Sequence, residues 1–352
     1  MRTAFLKRRA GALLAALLAI ALSACGASAE GTGVGGGGSP ARPSAIAKLA
    51  SSHATPSAEA CGAAGGELLA DAAGTVAKRI YAGELAGSET RSDQRQVEGD
   101  ATLLSAIASG NRAAINAAVH RLVYSHTHIV RLRITHGASV LADIGGPYII
   151  APVGGALRLH GRALAHYVLS VQDDLGYVKL VTRFLGVALV MRAGSHGIPV
   201  EGLVPGPASV PDLGPVTYRG VSYEAISFPA RSFPGGPLRI SLLLPLASSL
   251  ASRTCAQIKS AELGHAAMLI SRRFQLSPAS FPVYIKFVRT LTDALIYIRA
   301  GSRELAGSTR PGPASLPASG PIDFAGKHYE VSSFLAPSSV GQVRVHVLVR
   351  SG

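Results

Sequence analysis

"TYRGVSYEAISFPA", residues 217–230, comes back as "DFAGKHYEVSSFLA", residues 323–336. The wider window 205–228 aligns without a gap onto 311–334, with thirteen of twenty-four positions identical. Chance does not give that, so a structural unit has been duplicated. Each copy alternates about a central pair, Arg219-Gly220 or Ala325-Gly326. A Gly there suits the positive φ of a two-residue hairpin turn. The decisive stretch is therefore a β-hairpin, present twice.

Working outward, the copies share more than the hairpin. "LRISLLLP" (238–245) and "VRVHVLVR" (343–350) follow as closing strands. Upstream, "YVKLV" at 177–181 matches "YIKFV" at 284–288, and "RAGS" occurs at 192–195 and 299–302. Further back, "CGAAGGELLADAAGTVAKR" from Cys61 and "CAQIKSAELGHAAMLISRR" from Cys255 read as two related helices. Two units result, 61–248 and 252–352, and the second is a shortened copy lacking the material between about 85 and 170.

Local patterning gives the elements. Leu68, Leu69, Ala72, Val76 and Ile80 form one helical stripe. Asp100 is placed to cap a helix carrying Leu103, Leu104 and Ile107, and Ser109-Gly110-Asn111 breaks it before Ile115, Val119, Leu122 and Val123. "HIVRLRIT" (128–135) and "SVLADIG" (139–145) alternate as strands joined by a Gly turn, and "ALAHYVLSVQ" (163–172) puts Ala165, Tyr167, Leu169 and Val171 on one face. Asp173 or Asp174 caps a short helix. The class is α+β.

The chain carries a formal charge of +14, with 15% charged residues and no Trp. The excess is Arg scattered singly, with no run that would track phosphates, so nucleic-acid binding is not expected. Cys61 and Cys255 remain as an even pair once Cys25 is set aside. We read them as a disulfide tying the units, the alternative being two separate buried thiols.

"MRTAFLKRRAGALLAALLAIALSAC" has a basic start, an apolar stretch and a small-residue end, the pattern of a secretory signal. Leu-Ser-Ala-Cys (22–25) resembles the lipobox of bacterial lipoproteins. That resemblance implies cleavage of 1–24 and a diacylglycerol on Cys25, which would hold the protein at the extracytoplasmic face of the cell membrane. Residues 25–60 then form a Gly/Ser/Ala/Pro leash reaching about 33 Å. "GTGVGG" within it formally fits a dinucleotide fingerprint, but no strand precedes it and no amphipathic helix follows.

The succession "HIVRLRIT…SVLADIG…APVGG…HGRALAHYVLSVQ", after a helix-rich segment, resembles extracytoplasmic Cache sensor domains over roughly 100–190. His160-Gly161-Arg162 falls at the family's hairpin, while Ala165 stands where a second Gly is common. The resemblance implies a PAS-like antiparallel or mixed sheet with N-terminal helices and a small-ligand pocket, followed here by a shortened α+β repeat. It also implies a membrane or envelope protein as partner, because no output domain follows.

Candidate ligand residues are Arg131 and Arg133, alternate positions on one strand face, with Arg158 nearby and Tyr148 and Tyr167 as walls. Two converging guanidiniums would suit a small anion, above all a carboxylate. On the other reading, the Arg face simply meets water. His126 and His128 share a face near His120 and His136, but neither Cys nor an acidic cluster completes a metal site, so no metal or cofactor is expected. Glu224 and Glu330 are read as outward-facing strand residues. No G-x-S-x-G, S-x-x-K, H-E-x-x-H or P-loop occurs, and an enzyme is not expected. A structural or protein-interaction module with no ligand is the alternative to sensing.

Overall fold

The structure is a computed structural model. It describes residues 60–62, 64–125, 128–146, 149–193, 196–197, 206–234, 236–246, 250 and 252–351. The signal, Cys25, the leash, His126 and Tyr148 lie outside the described residues.

In chain order, α1 (Ala64–Ala86), α2 (Ser88–Glu98), α3 (Ala101–Ala108) and α4 (Arg112–Ser125) lead into β1 (Arg131–His136) and β2 (Ser139–Gly145). β3 (Ile149–Ile150), β4 (Val153–Leu159), β5 (Arg162–Ser170) and β6 (Gln172–Asp173) precede α5 (Asp174–Leu185) and β7 (Ala188–Ala193). β8 (His196–Gly197), β9 (Leu213–Tyr218), β10 (Val221–Phe233) and β11 (Gly236–Pro245) follow. The second copy has α6 (Cys255–Ser271), α7 (Phe281–Thr292), β12 (Leu295–Ala300), β13 (Arg303–Gly307), β14 (Ser319–Phe324), β15 (Lys327–Ser338) and β16 (Gly341–Arg350).

The duplication is visible strand for strand. One sheet runs β6-β3-β10-β11-β7-β8 with β9 also paired to β10, and the other runs β14-β15-β16-β12-β13. Their hairpins turn at Arg219 (φ 51°)–Gly220 (φ 76°) and Ala325 (φ 50°)–Gly326 (φ 70°), so both central residues are left-handed in each. That geometry matches the twist of the flanking strands. All strand pairs named here are antiparallel, which settles the sheet type that the sequence left open.

The two copies pack helix to helix. α1 lies on β10 and β11, α6 lies on β15 and β16, and α1 meets α6 between the sheets. α5 packs on α6 while α7 packs on α1. This reciprocity is what a pseudo-twofold axis produces. One continuous core results, from Ala73, Val76 and Phe184 of the first copy to Ala267, Tyr284 and Val345 of the second. Small residues allow the close approach: a Cβ on Gly74 would sit 2.6 Å from Ile226, and one on Gly264 would overlap Ser332. Ile226 and Ser332 are equivalent positions of the repeat. Tyr177 and Tyr284, also equivalent, are fully buried and donate to the carbonyls of Ala77 and Ala267, each at 2.9 Å. Burial pushes both phenols well above their ordinary range.

Cys61 and Cys255 are bonded, their Cα atoms 4.8 Å apart. Cys61 lies just before α1 and Cys255 is the first residue of α6, so the bond ties the starts of the two copies, and an antiparallel bridge between Ala60 and Thr254 runs beside it.

The extra material of the first copy folds separately. Its sheet has the order β2-β1-β5-β4, and α2, α3 and α4 pack on it. Leu103, Ile115, Leu122, Leu132, Ile134, Tyr167 and Leu169 form a core of their own there. Asp100 caps α3 by accepting from the Leu103 amide at 2.8 Å, and Asp173 caps α5 through Gly176. β1 begins at Arg131, three residues later than the alternation suggests, so His128 precedes the strand.

One outward assignment is corrected. Glu224 and Glu330 are 4% and 7% exposed and face the helices. The packed helices dry that face, and segments beside the repeated Pro-rich phrases dry the other. Val210, next to "PGPAS" (205–209), and Leu316, next to "PGPAS" (311–315), cover the outer faces of the two sheets beside Ala225 and Leu243 or Val331 and Leu348. Arg192 and Arg299 hold these straps by donating to the carbonyls of Pro207 and Pro313. With both sheet faces covered, outward and inward no longer mean wet and dry.

Candidate functional site

Of the ligand residues named from sequence, the structure brings two together. Arg131 and Arg133 leave the same face of β1 and converge on Asp143, which sits opposite Arg133 on β2. Arg131 donates through Nε and Nη2 to the two carboxylate oxygens at 2.8 Å each, and through Nη1 to the Gly146 carbonyl at 3.1 Å. Arg133 donates through Nε at 2.9 Å and Nη2 at 2.6 Å to Asp143 Oδ2. Both guanidiniums lie over the Phe233 ring, 5.1 and 4.3 Å from its centre. The side chains are 13% and 26% exposed.

Local sequence explains the placement. Gly145 (φ 129°) brings the end of β2 so close to Val130 that a Cβ there would overlap the backbone. That bend carries the Gly146 carbonyl to Arg131. Phe233 ends β10, where it pairs with Ile149 of β3. The cluster therefore sits at the seam between the inserted sheet and the duplicated body.

Among the described residues, two guanidiniums share the Asp143 carboxylate. Burial would raise the Asp143 carboxyl, but hydrogen bonds and charge from Arg131 and Arg133 outweigh it and hold it below its ordinary range. Such a fork of guanidiniums on an aromatic floor can receive a second carboxylate edge-on.

The other named residues go elsewhere. Tyr167 is on the opposite face of the sheet, 1% exposed, donating to Glu98 at 2.7 Å and accepting from Gln94 at 3.2 Å. Burial first, then the bond to Glu98, pushes its phenol up to about 12. It is a core residue and does not wall the Arg cluster. Arg158 is exposed and bonds the Gly161 carbonyl of its own hairpin at 3.2 Å.

The histidines disperse. His120 stacks near Tyr124 on α4, His136 bonds the Leu164 carbonyl at 2.7 Å, and His128 pairs with Glu89. Among the described residues, no group of three His, Cys, Asp or Glu could hold a metal ion. Glu224 sits against Gly66 in the first turn of α1, and its Oε1 has no hydrogen-bond partner. Burial, with Glu67 nearby, raises its carboxyl above the usual range.

Sequence reasoning missed the acids at the bend from α1 to α2, namely Glu84, Glu89 and Asp93, and their meeting with His128. A signal existed. α2, "SETRSDQRQVE", is polar except for Val97, yet Thr90, Asp93 and Val97 recur at the spacing of a buried face. The second copy carries an open groove of about 570 Å³ between α7 and β13, lined by Lys286, Arg289, Thr290, Ser308 and Arg310 among others.

No helix among the described residues is long and apolar enough to cross a membrane. No protein-family model matches the chain, and no curated protein matches it either. Among solved structures, one similar chain is the extracellular domain of vpHK1S-Z8, described as a candidate histidine kinase. It is 10% identical, and the match covers 80% of this chain and 94% of that one. Its TM-score of 0.17 is too low to carry an argument about fold or activity.

Proposed function

We propose that this protein binds a small carboxylate-bearing ligand outside the cell, as a sensing or solute-capturing lipoprotein anchored through Cys25, without catalysis. The observation that supports it is the convergence of two partly buried guanidiniums, Arg131 and Arg133, on Asp143 over the Phe233 ring. A pair serving only the insert's own sheet would need no aromatic floor contributed by β10. Placed at the seam, a bound anion would touch both the insert and the body, and its binding would be felt by both. The signal would pass to a membrane or envelope protein.

The test is thermal unfolding of the full-length protein in the presence of a carboxylate, amino-acid and nucleoside library. A ligand at a hundred times its dissociation constant raises stability by about 2.7 kcal/mol. We expect a shift that disappears in Arg133→Ala. A flat screen would overturn the reading and favour an interaction module, which the filled core of the insert around Leu132 and Tyr167 also suits.

A further inference from the structure

The bend between α1 and α2 is the helical link from the duplicated body to the insert, and it is built from acids. Gly87 is crowded there, since a Cβ on it would lie 2.6 Å from the Gly83 carbonyl oxygen. Thr90, 1% exposed, bonds back to the Glu84 carbonyl at 2.6 Å and fixes the angle. Glu89, one residue earlier, pairs with His128, which leads the chain into β1. Asp93 is 5% exposed, and its Oδ2 has no hydrogen-bond partner. The Ser88 hydroxyl is likewise buried without one.

The surroundings supply little positive charge. Asp93 is influenced by His128 and Glu89, Glu84 by Glu89, and Tyr177 on α5 by Glu84. Among the described residues, no Lys or Arg forms an ion pair with Glu84, Glu89 or Asp93. Glu89 and Asp93 share one imidazole and Glu84 lies next to Glu89, so the three carboxyls cannot all ionise without repulsion and desolvation.

We propose that this bend is a proton-operated latch: with Glu84, Glu89 and Asp93 protonated it holds the insert against the body, and their ionisation releases it. Burial pushes Glu84 and Glu89 up to about 7 and Asp93 up to about 6, the first helped by Glu89. Acids raised in the folded state stabilise it below their unfolded values, and that contribution is lost as pH rises through the folded ones. The latch is therefore closed in acid and loosens through neutrality. It is independent of the carboxylate site, so either can fail alone.

The experiment is hydrogen exchange of the full-length protein at about pH 5.5 and about pH 8.5, corrected for intrinsic rates. Segment 84–98 is compared with the body helix 255–271. Protection of 84–98 relative to 255–271 should fall about tenfold or more between the two, with a midpoint near 7. The variant Glu84→Gln/Glu89→Gln/Asp93→Asn should keep the acid-side protection at both pH values. Glu84→Gln alone should shrink the fall, and it decides the matter if the triple variant does not fold. A ratio that does not change with pH, a parallel loss in both segments, or a Glu84→Gln protein that responds like the parent would overturn the latch.

Discussion

The duplicated body and the insert bury their apolar residues in different ways, and the contrast shows where change is tolerated. The body has one core shared by both copies, so Val76 and Phe184 depend on Ala267 and Tyr284 as much as on their own sheet. Neither copy buries its helices alone. The insert has a second core, closed by α2, α3 and α4 on a sheet of four strands. It touches the body mainly through the α1–α2 bend, β3, β6 and the Arg cluster over Phe233.

The two copies also show how the insert was accommodated. In the second copy, Leu276 lies in the short connection from α6 to α7, is 2% exposed, and bridges to Ser338 at the end of β15. In the first copy, Ile150 of β3 is fully buried and pairs with Ser232, the equivalent of Ser338. One apolar residue plugs the same place in both, reached after a few residues in one case and after a whole inserted sheet in the other.

The largest expected effect tests whether the copies are one body. The Cys61–Cys255 bond closes a loop with a sequence separation of 194. Chain entropy assigns such a closure on the order of 5 kcal/mol. Cys61→Ser/Cys255→Ser should lower the melting temperature of the body steeply, as read by calorimetry, while the insert's own transition moves less. Equal loss in both would break the comparison.

Next come core truncations, at about 2–5 kcal/mol each. Leu132→Ala should strip exchange protection from the insert and leave α6 protected. Ile240→Ala should weaken both copies together, since Ile240 lies in the shared core. If Ile240→Ala left β15 and β16 untouched, the shared core would be the wrong description.

The smallest effect belongs to the seam. Asp143 is held low by its two arginines, so its contribution is present above the unfolded carboxyl value and is lost as pH falls through the folded one. Asp143→Asn should cost about 1–3 kcal/mol near neutral pH and abolish that acid-side loss in urea titrations of the insert. An unchanged acid limb would mean that the cluster does not hold the insert's sheet.

Much of this architecture was legible in the residues. The hairpins, the closing strands, the Asp100 cap and the apolar stripe of α1 all follow from local rules that the tertiary structure leaves intact. The α+β class followed from them. What stayed hidden was long-range. Glu224 and Glu330 alternate like surface residues, and only the straps from "PGPAS" and the packed helices make both faces dry. Tyr167 and Arg133 lie on neighbouring strands, but strand parity sends one into the core and the other to the seam. The acids of the α1–α2 bend are far apart in character from any motif, and the fold alone gathers them with His128.

The central claim is that the body is a complete structure without the insert. The second copy already shows the required connection, residues 272–280 between α6 and α7. The most direct measurement replaces the segment between Tyr81, the counterpart of Ser271, and Asp174 with a copy of that nine-residue connection and follows thermal unfolding. The account predicts a cooperative melt, an intact Cys61–Cys255 bond, and loss of any carboxylate-induced shift. A chain that fails to fold, or one that keeps the shift, would contradict it.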